Sequence, residues 1–277
     1  MKLLTLNTHS LVEEDYYVKL SCFVEAVAEE KPDIIALQEV NQTISAGKVS
    51  AIPDGYIPCA ENVTIRSDNH VYKAAEMLRE RGVGYFWTWL PLKKGYDKYD
   101  EGIALMSGSK ILETRVIKIS GIDDYNNWKT RRIIGMRTEN APDEWFFSVH
   151  YGWWNDPDEP FQEQWRRTCE YTGKYRRVWL MGDFNNPAGV QNEGYDMIEK
   201  SGWYDSFTLA AAKDSGITVG KVIDGWRDRK GCENGMRIDH IWCSEKVGIS
   251  SSEVIFNGRN RAVVSDHYGV IVSYERG

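Results

Sequence analysis

The chain has 277 residues, 42% of them hydrophobic and 27% charged, the balance of a soluble globular protein long enough to bury a substantial core. Its formal net charge of −7, with no Lys/Arg-rich run, argues against the basic stripe that an extended nucleic-acid footprint needs. Five scattered cysteines without a CxxC pair, and no apolar run long enough for a signal-peptide core or a membrane span, make a reducing cytoplasm the expected compartment and a membrane partner unexpected.

Met1 to Leu6 reads as a short buried strand. From Glu13 to Glu30, Tyr17, Leu20, Phe23, Val24, Val27 and Ala28 recur at three- and four-residue steps, which predicts an amphipathic helix. Pro32 ends it, because proline cannot continue the hydrogen-bond ladder. Asp33 to Glu39 predicts a second buried strand, so the chain opens β-α-β with a right-handed crossover. A helix is expected over Tyr72–Arg81. Strands follow at Tyr85–Leu90, Gly102–Met106, Thr114–Ile119, Arg132–Arg137, Trp145–His150, Val178–Met181, Ile238–Trp242, Val254–Phe256 and Gly269–Tyr274, with helices at Pro160–Gly173 and Glu193–Ser201. Many short strands and few helices suit an α/β (α+β) arrangement of two stacked sheets with helices outside. Without repeats or a linker, residues 1–277 read as a single domain, with pocket-shaping loops at Thr43–Asn69, Lys93–Asp100, Asn155–Pro160 and Thr218–Gly235.

Polar clusters punctuate the ends of the apolar runs. They are Asn7-Thr8-His9, Gln38-Glu39, His150, Asp183-Phe184-Asn185 and Asp266-His267, while Asp239-His240 sits where a strand begins. Taken singly, Asp183 and Asn185 read as an ordinary turn, since Asp and Asn bond neighbouring backbone N–H groups. Jointly, such groups can converge from distant strand ends, where catalytic residues commonly sit.

The motifs LQEV, GDFN, RIDHIW and SDH, after an Asn on the first strand, resemble the endonuclease/exonuclease/phosphatase family in its own order from Asn7 to His267. The resemblance implies a DNase I-like four-layer αββα sandwich, two mixed β-sheets flanked by helices. It implies Glu39 as principal ligand of magnesium (manganese as a substitute), with Asn7 beside it and Asp266 helping. Asp183 is implied as the acid that deprotonates the attacking water, and Asn185 as the amide that holds the scissile phosphate. His267 is implied to contact the phosphate, oriented by Asp239. His150 corresponds to the second active-site histidine, with Glu101 as its acidic partner. His9 departs from the family pattern: it either leaves the metal site poorer in carboxylate, touches substrate, or is a strand-end histidine bonded to backbone. Of Arg131 and Arg132, Arg131 is favoured to reach the phosphate.

These residue types suit the chemistry in their own right. Uncatalysed phosphate-ester hydrolysis is so slow that the barrier must fall by roughly 20 kcal/mol or more in extreme cases. A hard cation on carboxylates offsets phosphate charge, histidines donate to its oxygens, and a separate acid takes the proton of water.

For the substrate, acidic charge disfavours long DNA or RNA, and aromatics near the site motifs favour a sugar. Trp153 and Trp154 follow His150, Trp128 precedes Arg131, and Tyr96, Tyr99 and Trp226 lie in the expected pocket loops. YDKYDEG, NNWKTRR, VHYGWW and IDGWR together resemble the bacterial branch of the family that includes maltose 6'-phosphate phosphatases. The expectation is a metal-dependent hydrolase of a small phosphorylated sugar, with maltose 6'-phosphate leading. The alternative is a magnesium-dependent nuclease or phosphodiesterase with the same site. A catalytically silent binding module would be expected to lack Glu39, Asp183 or His267, and all three are present.

Overall fold

In the computed structural model, residues 1–221, 226 and 235–276 are described. The chain runs β1 (Lys2–Asn7), a 3-10 turn at Ser10–Val12, α1 (Tyr16–Glu30), β2 (Ile34–Thr43), α2 (His70–Glu80), β3 (Phe86–Gly95) and β4 (Tyr99–Ser107). It continues with β5 (Ile111–Lys118), β6 (Arg132–Thr138), β7 (Ala141–His150), α3 (Phe161–Thr172), β8 (Arg177–Asp183) and α4 (Gly194–Lys200). The last elements are β9 (Tyr204–Asp205), α5 (Ser206–Leu209), β10 (Ala212–Lys213), β11 (Asp239–Cys243), β12 (Ile249–Ile255) and β13 (Gly269–Tyr274).

Among the described residues the strands form a seven-stranded sheet, β10-β12-β13-β1-β2-β4-β3, and a six-stranded sheet, β5-β6-β7-β8-β11-β9. Both are mixed: β1 is parallel to β2 and antiparallel to β13, while β7 is parallel to β8 and β8 antiparallel to β11. The central strands are buried on both faces, which is why they read as unbroken apolar runs. Side chains alternate with period two. On β2, Ile34 and Ala36 enter the core between the sheets, and Ile35 and Leu37 pack outward with α1 and α2. On β8, Trp179 and Met181 enter the same inner core, whereas Val178 and Leu180 meet Phe161 and Trp165 of α3 and Ile198 of α4. The result is the helix–sheet–sheet–helix sandwich expected from the sequence.

Helix ends follow local chemistry. Asn69 caps α2 by accepting the Tyr72 N–H at 3.1 Å. α1 ends on Lys31 in the left-handed conformation (φ 47°), immediately before Pro32.

Three expectations are corrected. β2 does not stop at Glu39: it runs to Thr43 through a bulge where the register with β4 shifts between Leu37 and Val40, so Glu39 projects from mid-strand. The expected loop at Lys93–Asp100 is a β3–β4 hairpin paired down to Gly95 and Tyr99, its turn carried by Tyr96 and Asp97 at positive φ. Ser265–His267 precedes β13 instead of following a strand. The short elements between Tyr204 and Lys213 carry too few residues to show a period. Most of the expected Thr218–Gly235 loop, including IDGWR apart from Trp226, lies outside the described residues. No helix among the described residues is long and apolar enough to cross a membrane.

Candidate active site

Strand register builds one row of functional groups. His150 ends β7 opposite Asp183 at the end of β8, and Asp183 is paired directly with Asp239 at the start of β11. Asn7 and Gln38 pair at the same end of the other sheet. Gln38 ties the two sheets together by donating to Ser148 Oγ at 3.0 Å. Gly182 permits the junction: it holds φ at 152°, and a Cβ there would collide with the Val149 carbonyl oxygen and come within 2.9 Å of Gln38 Nε2.

Two site residues hold backbone conformations that L-residues rarely adopt, Glu39 at φ 50° and Asn185 at φ 49°. Such conformations cost on the order of 1–3 kcal/mol and persist only where surrounding contacts enforce them. For Asn185 the contacts are explicit. Its N–H donates to Asp183 Oδ1 at 2.8 Å, its side-chain amide donates to the Tyr151 carbonyl at 3.0 Å, and its Oδ1 accepts the Trp153 indole N–H at 3.1 Å. Phe184, between the two polar residues, is fully buried in the core under α3.

Electrostatics divide the acids and bases. Burial, reinforced by Asp239, pushes the Asp183 carboxyl up to about 7. Burial opposes charge on His267, but Asp239, at 2.9 Å from Nδ1, overcomes it and holds the ring well above the usual imidazole range. His150 goes the other way: burial, then Arg131 and Lys93, keep it neutral, with Nε2 3.6 Å from Asp183 Oδ2. His9 bonds Glu13 at 2.7 Å, and despite burial that bond with Glu39 and Asp266 nearby raises it to about 9.

These groups surround a cleft of about 340 Å³. Glu39, His150, Asp183, Asn185, Asp266 and His267 line it, together with His9, Glu101, Arg131, Trp153 and Trp226. Asp239 is buried behind His267. Arg132 turns outward to an ion pair with Asp123, so that of the two it is Arg131 that lines the cleft.

Three sequence-derived placements change. Asn7 meets Glu39 through its amide nitrogen, which donates to Glu39 at 2.9 Å and to Asp183 at 3.2 Å and so bridges the two acids, while its Oδ1 accepts the His9 N–H at 3.3 Å. Glu101 is paired with Lys93 at 3.1 Å, and the carboxylate recorded beside the neutral His150 is Asp183, 3.6 Å from Nε2. Trp154 packs on Phe161, ring centroids 6.4 Å apart, away from the cleft lining. Sequence reasoning missed Lys93, whose signal was a lysine pair closing the apolar run FWTWLPL, and Glu13, four residues after His9.

The model of the endonuclease/exonuclease/phosphatase family matches residues 4–267. The chain belongs to that family. Among solved structures it is similar to a family protein from Leptotrichia buccalis, at 30% identity over all of both chains and a TM-score of 0.87. A mannosyl-6-phosphatase from Bacteroides thetaiotaomicron shares the fold at 16% identity, TM-score 0.65, over all of both chains. A 3'-5' exonuclease from Neisseria meningitidis does so at 19% identity and TM-score 0.64, again over all of both chains. No curated protein matches the sequence.

Enzymes of this family are hydrolases, phosphatases and nucleases among them, and generally use a divalent metal. The residues here fit such an ion. Glu39 and Asp266 offer the hard oxygen donors it takes. Burial, then Glu101 and Asp266, hold the Glu39 carboxyl above its usual range even though His9 and Asn7 oppose the shift. The acid is thus short of positive charge, which a cation would supply.

Proposed function

We propose that this protein is a magnesium-dependent phosphomonoesterase acting on a small sugar phosphate, with maltose 6'-phosphate as the leading candidate. One observation carries the reading. The acid–base row lies on the floor of a bounded cleft whose rim is aromatic: Trp128 is 47% exposed, Tyr96 is 61% exposed, and Trp128 leans on Trp153 with ring centroids 5.4 Å apart. Indole and phenol rings match the apolar C–H faces of a sugar, while the polar floor matches its phosphate. The fold relative described as a mannosyl-6-phosphatase supports the substrate class.

In this reading Asp183 takes a proton from water and the resulting hydroxide attacks phosphorus in line. As the P–O bond to the sugar breaks, the departing oxygen takes a proton from solvent to leave as the hydroxyl, and Asp183 returns its own proton to solvent. His267, charged and held by Asp239, donates to a phosphate oxygen as charge develops, and the Asn185 amide and Arg131 fix the group. Glu39, with Asp266, would hold a divalent cation, which would supply charge neutralisation at the phosphate. Neutral His150 orders the Asp183 side of the floor.

A phosphate-release screen over sugar phosphates, nucleotides, inositol phosphates and a nicked duplex tests the reading. Sugar monoesters are expected to lead; preference for the duplex overturns it in favour of a nuclease.

A further inference from the structure

The cleft holds two buried cations for which the mechanism above has only partial use. Lys93 on β3 is 7% exposed and Arg131, just before β6, is 5% exposed. Both converge on the Trp128 carbonyl, which accepts from Lys93 Nζ at 3.1 Å and from Arg131 Nη1 at 2.7 Å. Glu101 pairs with Lys93 at 3.1 Å, and its place is prepared by the fold: a Cβ at Gly95 would lie 2.6 Å from Glu101 Oε2. Arg131 has no ion pair among the described residues, and its Nε is buried without a hydrogen-bond partner. Among the described residues Glu101 thus pairs with Lys93 alone, while Glu101, Asp183 and Glu39 favour the Arg131 charge from nearby without pairing with it. The buried Arg131 Nε is therefore an unmet donor that a ligand can answer.

Resting on the monoesterase reading, we propose that Lys93 and Arg131 form a receptor for the third free oxygen of a phosphate dianion, with Glu101 as resident counter-ion, which selects monoesters over diesters. A diester has one negative charge and two free oxygens, a demand that His267 and a cation bound at Glu39 would meet. A monoester carries nearly two charges above its second ionisation, near pH 6, and has three free oxygens. The third needs charged donors of its own, and Lys93 and Arg131, which line the same cleft, can supply them. Arg131 provides a planar fork suited to phosphate, and Lys93 a point charge. Burial, then Arg131, also draws the Lys93 ammonium below its usual range, a cost that an arriving dianion relieves.

The test compares kcat/KM for the best sugar monoester and for its methyl diester in wild type, Lys93→Gln and the double variant Lys93→Met/Glu101→Gln, which removes both charges of the pair. The monoester-to-diester ratio is expected to fall roughly 10- to 100-fold, as for loss of a hydrogen bond to a charged group. An unchanged ratio overturns the proposal and leaves the sugar reading intact. A wild type that prefers nucleotide monoesters sinks the sugar reading alone, and one that prefers diesters sinks both. Calorimetry needs no turnover: wild type is expected to bind inorganic phosphate at pH 8 at least 10-fold more tightly than dimethyl phosphate. Equal binding overturns the proposal even if the variants fail to fold.

Discussion

Asp239 stands 2.9 Å from Nδ1 of His267, both fully buried, and this contact decides the charge on the histidine. If His267 acts as an imidazolium, its raised pKa sets a basic limb. Its charge and the associated stability are fully present below the unfolded value near 6.5, and both are lost as pH rises through the folded pKa. Asp239→Asn is expected to lower kcat about 100-fold and move the basic limb to lower pH. A pH–rate profile reads both effects, and an unmoved limb would show that Asp239 does not hold the proton on His267.

Asp183 carries the opposite linkage. Its carboxyl is pushed up to about 7, so folding favours its protonated form, and the buried group costs stability as pH rises from its unfolded value near 3.9 through the folded one. A bound divalent cation pulls that folded value down. Activity is expected to rise with pH through an acidic limb that lies below 7 in the metal-loaded enzyme. Asp183→Asn is expected to reduce turnover by 1,000-fold or more, to about the scale of losing a catalytic base. At pH 8 without metal the same variant should melt higher than wild type. Turnover within tenfold of wild type would remove Asp183 from its role.

Metal removal tests the acid-rich floor. EDTA is expected to abolish phosphate release, with recovery on adding magnesium. Because an ion that binds only the folded state stabilises it, magnesium should also raise the melting temperature. That increase should shrink strongly in Glu39→Gln, a readout independent of activity, and an undiminished shift would place the ion elsewhere.

The layered fold was legible because its causes are local and repetitive. Ile34 to Leu37 and Val178 to Met181 are buried on both faces and read as apolar runs, and the three-four spacing from Leu20 to Val27 marks one helix face. The motif residues Asp183, Asp239 and His150 come together because strand register places them side by side. What the sequence concealed depends on geometry that no period encodes. The bulge at Glu39, the hairpin that brings Lys93 to the cleft, and the choice of Lys93 over His150 as partner of Glu101 all arise from register and burial. Orientation was equally hidden for Asn7, whose amide nitrogen faces two acids, and for Trp154, which the VHYGWW run could not distinguish from Trp153.

The central claim is that the cleft serves a small phosphorylated sugar. The direct measurement is kcat/KM for maltose 6'-phosphate, other sugar phosphates and a nicked DNA duplex, side by side in magnesium. The account predicts that a sugar phosphate leads by at least 100-fold and that the advantage drops when Trp128 is replaced by Ala. A higher kcat/KM for the duplex, or a sugar-phosphate rate indifferent to Trp128, would contradict it.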